Sequence, residues 1–136
     1  MPGYLHRERV RFGDLDAMRH LNNVVFLRYF ETARISYLSA LLPEHSPANP
    51  EREGFGFIFA ECHINYRSPV YFDEDVAVHV SVGEVRRSST RLDFRMEVGE
   101  RRCAEGYGVL VGFDYEARRA APIPESARAV LERELG

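Results

Sequence analysis

The stretch Val10-Arg-Phe-Gly-Asp14-Leu-Asp16-Ala-Met-Arg-His20-Leu-Asn22-Asn23-Val-Val-Phe26-Leu-Arg-Tyr-Phe30-Glu31-Thr-Ala-Arg34 decides the reading of this chain. Residues 4–12, with Val10 and Phe12, read as a first strand. Gly13-Asp14-Leu15-Asp16-Ala17 breaks it with turn-type residues. Asn22 and Asn23 then stand at the mouth of a helix, where an Asn side-chain oxygen can accept a bond from a free first-turn amide. From Val24 to Leu42, Phe26, Phe30, Ala33, Tyr37, Ala40 and Leu41 recur at helical spacing. Arg28, Glu31, Thr32, Ser36 and Ser39 fall on the other side. The apolar arc is wide, which predicts a helix buried over more than half its circumference. Pro43 stops it.

Working outward, residues 44–54 are polar and proline-containing and read as a surface loop. Phe55 to Tyr66 is aromatic and β-branched, a strand ended by Ser68-Pro69. Val76, Val78, Val80 and Val82 alternate with Ala77, His79, Ser81 and Gly83. Thr90, Leu92, Phe94, Met96 and Val98 alternate with charged residues in the same way. In residues 103–113, Ala104, Gly106, Gly108, Leu110 and Gly112 share one face. Small residues on a strand face admit close approach, and the long helix is the obvious visitor. Pro122 and Pro124 lead into a short helix over 126–135. A strand, a long helix, four consecutive strands and a terminal helix imply an α+β class with an antiparallel sheet covering the helix. No G-x-G-x-x-G or phosphate-binding loop occurs.

The chain has 136 residues, which predicts one domain over 1–136. Its net charge of -3 offers no field for nucleic acid or an anionic membrane surface. No apolar run approaches the ~18–20 residues of a membrane span, and residues 1–9 lack the pattern of a signal peptide. All 18 basic side chains are arginine, so Schiff-base chemistry on lysine is excluded. Cys62 and Cys103 lack a C-x-x-C context and read as reduced thiols of a cytoplasmic protein. His45, His63 and His79 make no metal-ligand spacing, so no metal is expected.

A helix N-terminus presents unpaired amides and a partial positive charge. A carboxylate in the turn just before it can face the same point, which places a base or nucleophile beside a carbonyl polariser. The pattern Asp14-x-Asp16-x-x-x-His20-x-Asn22-Asn23, followed by Glu31-x-x-Arg34 on the helix, resembles the signature of hotdog-fold acyl-CoA thioesterases of the 4-hydroxybenzoyl-CoA thioesterase-like group. Tyr66-x-x-Pro69, Arg86-Arg87-Ser88-Ser89 and Pro122-Ile-Pro124 extend the resemblance over nearly the whole chain. It implies an antiparallel sheet of about five strands wrapped around one long central helix. It also implies hydrolysis of a thioester to a carboxylic acid and coenzyme A. Asp16 resembles the catalytic aspartate, as nucleophile or as general base, and the backbone N–H of Asn23 the carbonyl polariser. His20 can shape the site or donate a proton. Arg86, Arg87, Ser88 and Ser89 correspond to a turn that contacts the nucleotide, where arginine forks suit phosphate oxygens. Arg118 and Arg119 are weaker candidates for that job.

Other readings of these residues are simpler. Asp14 reads as a turn stabiliser. Glu31 and Arg34, three apart on a helix, read as an ion pair or a contact to a neighbouring subunit. Phe26, Tyr29 and Phe59 either receive an acyl group or belong to the core. The partner is a small-molecule acyl-CoA or an acyl carrier protein thioester, and no separate cofactor is required because coenzyme A is part of the substrate. A hydratase or dehydratase of acyl thioesters on the same fold, and a non-catalytic acyl-CoA-binding protein, are the competing functions. An open sheet leaves strand edges unpaired. Edge-to-edge pairing across a twofold axis removes that liability and predicts a homodimer, assembling to a homotetramer as the resemblance implies.

Overall fold

The computed structural model describes residues 2–47, 49 and 54–135. Much of the loop expected over 44–54 lies outside them. Six strands, β1 (Tyr4–Arg9), β2 (Phe55–Tyr66), β3 (Asp75–Val85), β4 (Ser89–Val98), β5 (Arg101–Asp114) and β6 (Arg119–Ala120), form one antiparallel sheet. The order is β1-β3-β4-β5-β2, with the two-residue β6 added beside β5. Helix α1 (Asn23–Leu41) lies across its concave face, and α2 (Glu125–Arg133) closes the chain. This is the hotdog arrangement, with five long strands curled around a central helix.

Period-two alternation puts Val76, Val78, Val80 and Val82 of β3 against the helix, all buried. Thr90, Leu92, Phe94 and Met96 of β4 do the same. On α1, Val25, Phe26, Tyr29, Phe30, Ala33 and Tyr37 face them. Phe30 stacks on Phe94 at 4.2 Å between ring centroids, and burial of such a side chain contributes about 2–3 kcal/mol. The small face of β5 works as its composition suggests. A Cβ added at Gly108 would lie 2.9 Å from the Phe30 ring, so the glycine makes the space that ring fills.

Three expectations are corrected. The first strand stops at Arg9, and Phe12–Asp14 forms a 3-10 turn that leaves Phe12 79% exposed. Gly13-Asp14 breaks the extended run earlier than the apolar pattern suggests. Helix α1 is buried along one face and not over most of its girth: Val24, Leu27, Ile35 and Ala40 are exposed. A single curved sheet covers only one side of a cylinder. The sheet also gains β6, whose two residues are too few to leave a periodic signal in the sequence.

Candidate active site

The segment between β1 and α1 folds as a small hairpin. Leu15 pairs with Leu21 across it, and the Asp16 amide donates to the His20 carbonyl at 3.0 Å. The Asn22 amide donates to the Asp14 carbonyl at 3.0 Å, and the Leu21 amide to the Val70 carbonyl at 2.7 Å. These bonds fix the hairpin against the start of α1. Arg19 closes the tip in the left-handed region at φ 68°, a conformation costing a non-glycine residue about 1 kcal/mol or more.

Asp16 sits inside this hairpin with its side chain 28% exposed. One carboxylate oxygen accepts the Met18 amide at 2.8 Å, and the other lies 3.5 Å from His20 Nδ1. A turn hydrogen bond of this kind orients the carboxylate. Beside it, Phe12, Leu15, Arg19 and Phe72 line a surface hollow, and the Phe12 and Phe72 rings meet edge to face at 6.2 Å.

At the helix start, Asn22 is the cap: its Oδ1 accepts the Val24 amide at 3.0 Å. The Val25 amide donates to the Asn22 carbonyl at 2.8 Å. The Asn23 amide is left without an acceptor among the described residues, at the positive end of a 19-residue helix. Tyr66 braces this turn, its hydroxyl donating to the Asn23 carbonyl at 3.1 Å and its ring packing edge-on to Phe26 at 5.2 Å. Asp16, His20 and the Asn23 amide thus come from one hairpin and the helix turn it adjoins.

Asp14 takes a different part. It accepts the Arg11 amide at 3.0 Å and the Tyr29 hydroxyl at 2.7 Å. Burial acts to raise its pKa. The two hydrogen bonds and the charges of Arg11 and Arg28 outweigh that and hold it below its ordinary 3.8. Burial and the same bond push the Tyr29 phenol up. Tyr29→Phe should therefore destabilise the protein by roughly 1–2 kcal/mol at neutral pH, read from thermal or urea melts. A depressed folded pKa means the contribution is complete above 3.8 and is lost as pH falls through the folded value. The gap between the parent protein and Tyr29→Phe should narrow as pH drops below that point. A gap constant down to the acid transition would refute the role.

The phosphate-clamp candidates are elsewhere. β3 runs from Asp75, three residues after the Phe72 that lines the Asp16 hollow, to Val85, and Arg86-Arg87-Ser88-Ser89 follows its far end. Eleven residues at ~3.3 Å each put roughly 35 Å of strand between that turn and the site end. Arg86 Nε is held by Glu84 at 2.6 Å, and the Arg87 and Ser88 carbonyls accept the Ile123 and Gly112 amides. Arg118 and Arg119 share this distal rim. One chain does not bring the clamp and the carboxylate together.

One further correction concerns the Glu31–Arg34 pair of α1. Glu31 and Arg34 form no ion pair; the Arg34 guanidinium instead lies over the Phe59 ring at 4.2 Å. Phe26 and Tyr29 are core residues, whereas Phe59 is 39% exposed. Tyr66 and the Phe12–Phe72 pair are neighbours of the site that sequence reasoning misses. Tyr66 shows in the sequence only as part of a short Tyr-x-x-Pro motif, and Phe12 is hidden by its place in an apparent strand.

Residues 10–131 match the sequence model of the thioesterase-like superfamily, and the chain belongs to that family. The hotdog fold and the family together define its class, that of the thioester hydrolases. A candidate esterase of Aquifex aeolicus (strain VF5) is 27% identical over 85 residues, 62% of this chain. The match spans 64% of that protein's length. Among solved structures, the hypothetical protein TT1821 from Thermus thermophilus superposes with a TM-score of 0.86 at 27% identity, covering 96% of this chain and 98% of its own. BH1999, a gentisyl-coenzyme A thioesterase, shares the fold with a TM-score of 0.82 at 23% identity, over 93% of this chain and 98% of its own. No helix among the described residues is long and apolar enough to cross a membrane.

Proposed function

We propose that this thioester hydrolase cleaves an acyl-CoA to a carboxylic acid and coenzyme A, with Asp16 as the reacting carboxylate and the Asn23 amide as the carbonyl polariser. One observation carries this reading: a partly shielded carboxylate, oriented by Met18, lies in the hairpin that adjoins the first turn of α1, whose Asn23 amide has no acceptor among the described residues. An amide that bonds more strongly as the thioester oxygen becomes anionic lowers the barrier by about 3–4 kcal/mol. Asp16 then acts in one of two ways. Its oxygen adds to the carbonyl carbon, the C–S bond breaks, and water hydrolyses the resulting mixed anhydride. Alternatively it takes a proton from a water molecule that adds to the same carbon. The leaving group departs as a thiolate with pKa ~8.5, so no strong general acid is required. His20, 3.5 Å from Asp16, orients the carboxylate.

The acyl chemistry of BH1999, named for a gentisyl thioester, supports testing aromatic acyl groups first. The carrier is read as coenzyme A in preference to an acyl carrier protein because the distal arginine turn suits phosphates. That turn reaches a site only in an assembly. β2 is a sheet edge, and Ile58, Phe59 and Tyr66 along it are exposed. Antiparallel pairing of β2 with a second β2 about a twofold axis would lay the distal end of one chain beside the Asp16 end of the other. A panel of aryl-, short- and long-chain acyl-CoA thioesters, followed by thiol release, tests the activity. Light scattering should show a dimer or larger. Hydration of crotonyl-CoA without thiol release would favour a hydratase instead, and tight coenzyme A binding with no turnover a binding protein.

A further inference from the structure

Arg34 lies midway along α1 on the side that faces β2. It is half-buried, and its guanidinium rests on two rings, Phe59 at 4.2 Å and Phe30 at 5.9 Å. No hydrogen bond or ion pair engages it among the described residues. A guanidinium has five N–H donors around its edge and no acceptor function, and a ring face satisfies none of the five. Burial pulls its pKa below the usual arginine value, against the opposing influence of Glu31 and Cys62.

Its position gives the donors a use. A hollow lined by Val24, Leu27, Arg28, Glu31 and Phe59 begins at the first turn of α1 and ends at Arg34. A second, more enclosed cavity, lined by Ile35, Leu38, Phe57 and Leu110, begins at Arg34 and continues beneath the helix C-terminus. The same arginine walls both. From Asn23 to Arg34 the helix rises about 16 Å, and the side chain leans back toward the N-terminus. A thioester carbonyl held at the Asn23 amide would send its acyl group along Val24, Leu27 and Phe59, past the charged Arg28 and Glu31, toward this guanidinium.

We infer that Arg34 is a specificity-determining residue, which receives an oxygen acceptor at the far end of the acyl group, so that the preferred substrates are medium-length or bicyclic acyl thioesters ending in a carboxylate or hydroxyl. This rests on the acyl-CoA reading of the Asp16 site. Val24, Leu27 and Phe59 supply apolar contact, and the half-buried fork, unengaged among the described residues, supplies discrimination, since a donor that an acceptor-free acyl group shields from water penalises that substrate.

Matched thioesters test it: octanoyl-CoA against suberoyl-CoA for a carboxylate, and 2-naphthoyl-CoA against 6-hydroxy-2-naphthoyl-CoA for a hydroxyl. The protein should favour the oxygen-bearing member of at least one pair by about tenfold or more in kcat/KM. In Arg34→Met that ratio should collapse toward one. In Arg34→Lys a carboxylate preference should survive in part, because charge remains while the planar fork is lost. Calorimetry with the free product acids, suberate and 6-hydroxy-2-naphthoate, reads the same recognition without catalysis. Binding lost in Arg34→Met supports the inference even if every thioester is inert, an outcome that would sink the acyl-CoA reading alone. A ratio near one in the parent protein, or one left intact by Arg34→Met while both members slow equally, overturns it. So does dissociation of the assembly in that variant, which would make Arg34 a subunit contact. Thermal melting adds a last check: removing a cation without an acceptor should leave Tm unchanged or higher, and a fall of many degrees would mark a structural strut.

Discussion

Asp16→Asn is expected to lower thioester hydrolysis by on the order of a thousandfold while leaving the fold intact. Asparagine has the same shape, and its Oδ1 can still accept the Met18 amide that now bonds Asp16 at 2.8 Å. The hairpin is held chiefly by backbone bonds, Asp16 to His20 and Asn22 to Asp14, which the substitution does not touch. What disappears is the negative charge. A neutral amide neither adds to a carbonyl carbon nor removes a proton from water, so both routes fail together. Thermal melting should therefore differ by a few degrees at most while turnover collapses. Near-normal turnover would place the reaction elsewhere. The two routes separate on the parent protein: a single turnover in isotopically labelled water leaves label in the Asp16 carboxylate only if that group forms the anhydride.

The hairpin explains what is legible in the sequence and what is not. Asn22 announces the helix start because capping is a local matter, settled within three residues, and α1 begins at Asn23 as that signal requires. The valine alternation of β3 and the small face of β5 are equally local, and they determine which faces meet. Distances between segments are not local. Arg86-Arg87 and Asp16 are both conspicuous, yet β3 separates them by its full length. Only strand direction reveals that, and direction follows from pairing rather than from any residue. Glu31 and Arg34 mislead for a related reason. Their spacing permits an ion pair, but Phe59, delivered by β2 from 25 positions downstream, offers Arg34 a ring within 4.2 Å. Phe12 misleads because an apolar residue near a strand end has the same appearance in sequence whether it turns inward or out.

The second large effect is expected at Gly106, where Gly106→Ala should destabilise the protein by about 3 kcal/mol or more. Gly106 of β5 pairs with Ile64 of β2, and a Cβ placed there meets the His63 carbonyl oxygen at 1.9 Å. That obstacle is backbone, and it cannot rotate away as a side chain can. The two strands must separate locally, along the pairing that carries Phe59 and Tyr66 toward α1. A graded series isolates the cause. Gly13 has nothing within 4 Å of the methyl an alanine would add and no positive φ, so Gly13→Ala should be neutral or slightly stabilising. Gly108→Ala meets the Phe30 and Phe59 ring edges at 2.7–2.9 Å, which can tilt, and should fall between the two. Urea melts of the three variants should rank in that order. If Gly106→Ala were as stable as Gly13→Ala, β2 and β5 could not be packed as closely as this register holds them. The bracing of the Asn23 turn by Tyr66, on which the proposed carbonyl polarisation rests, would lose its support.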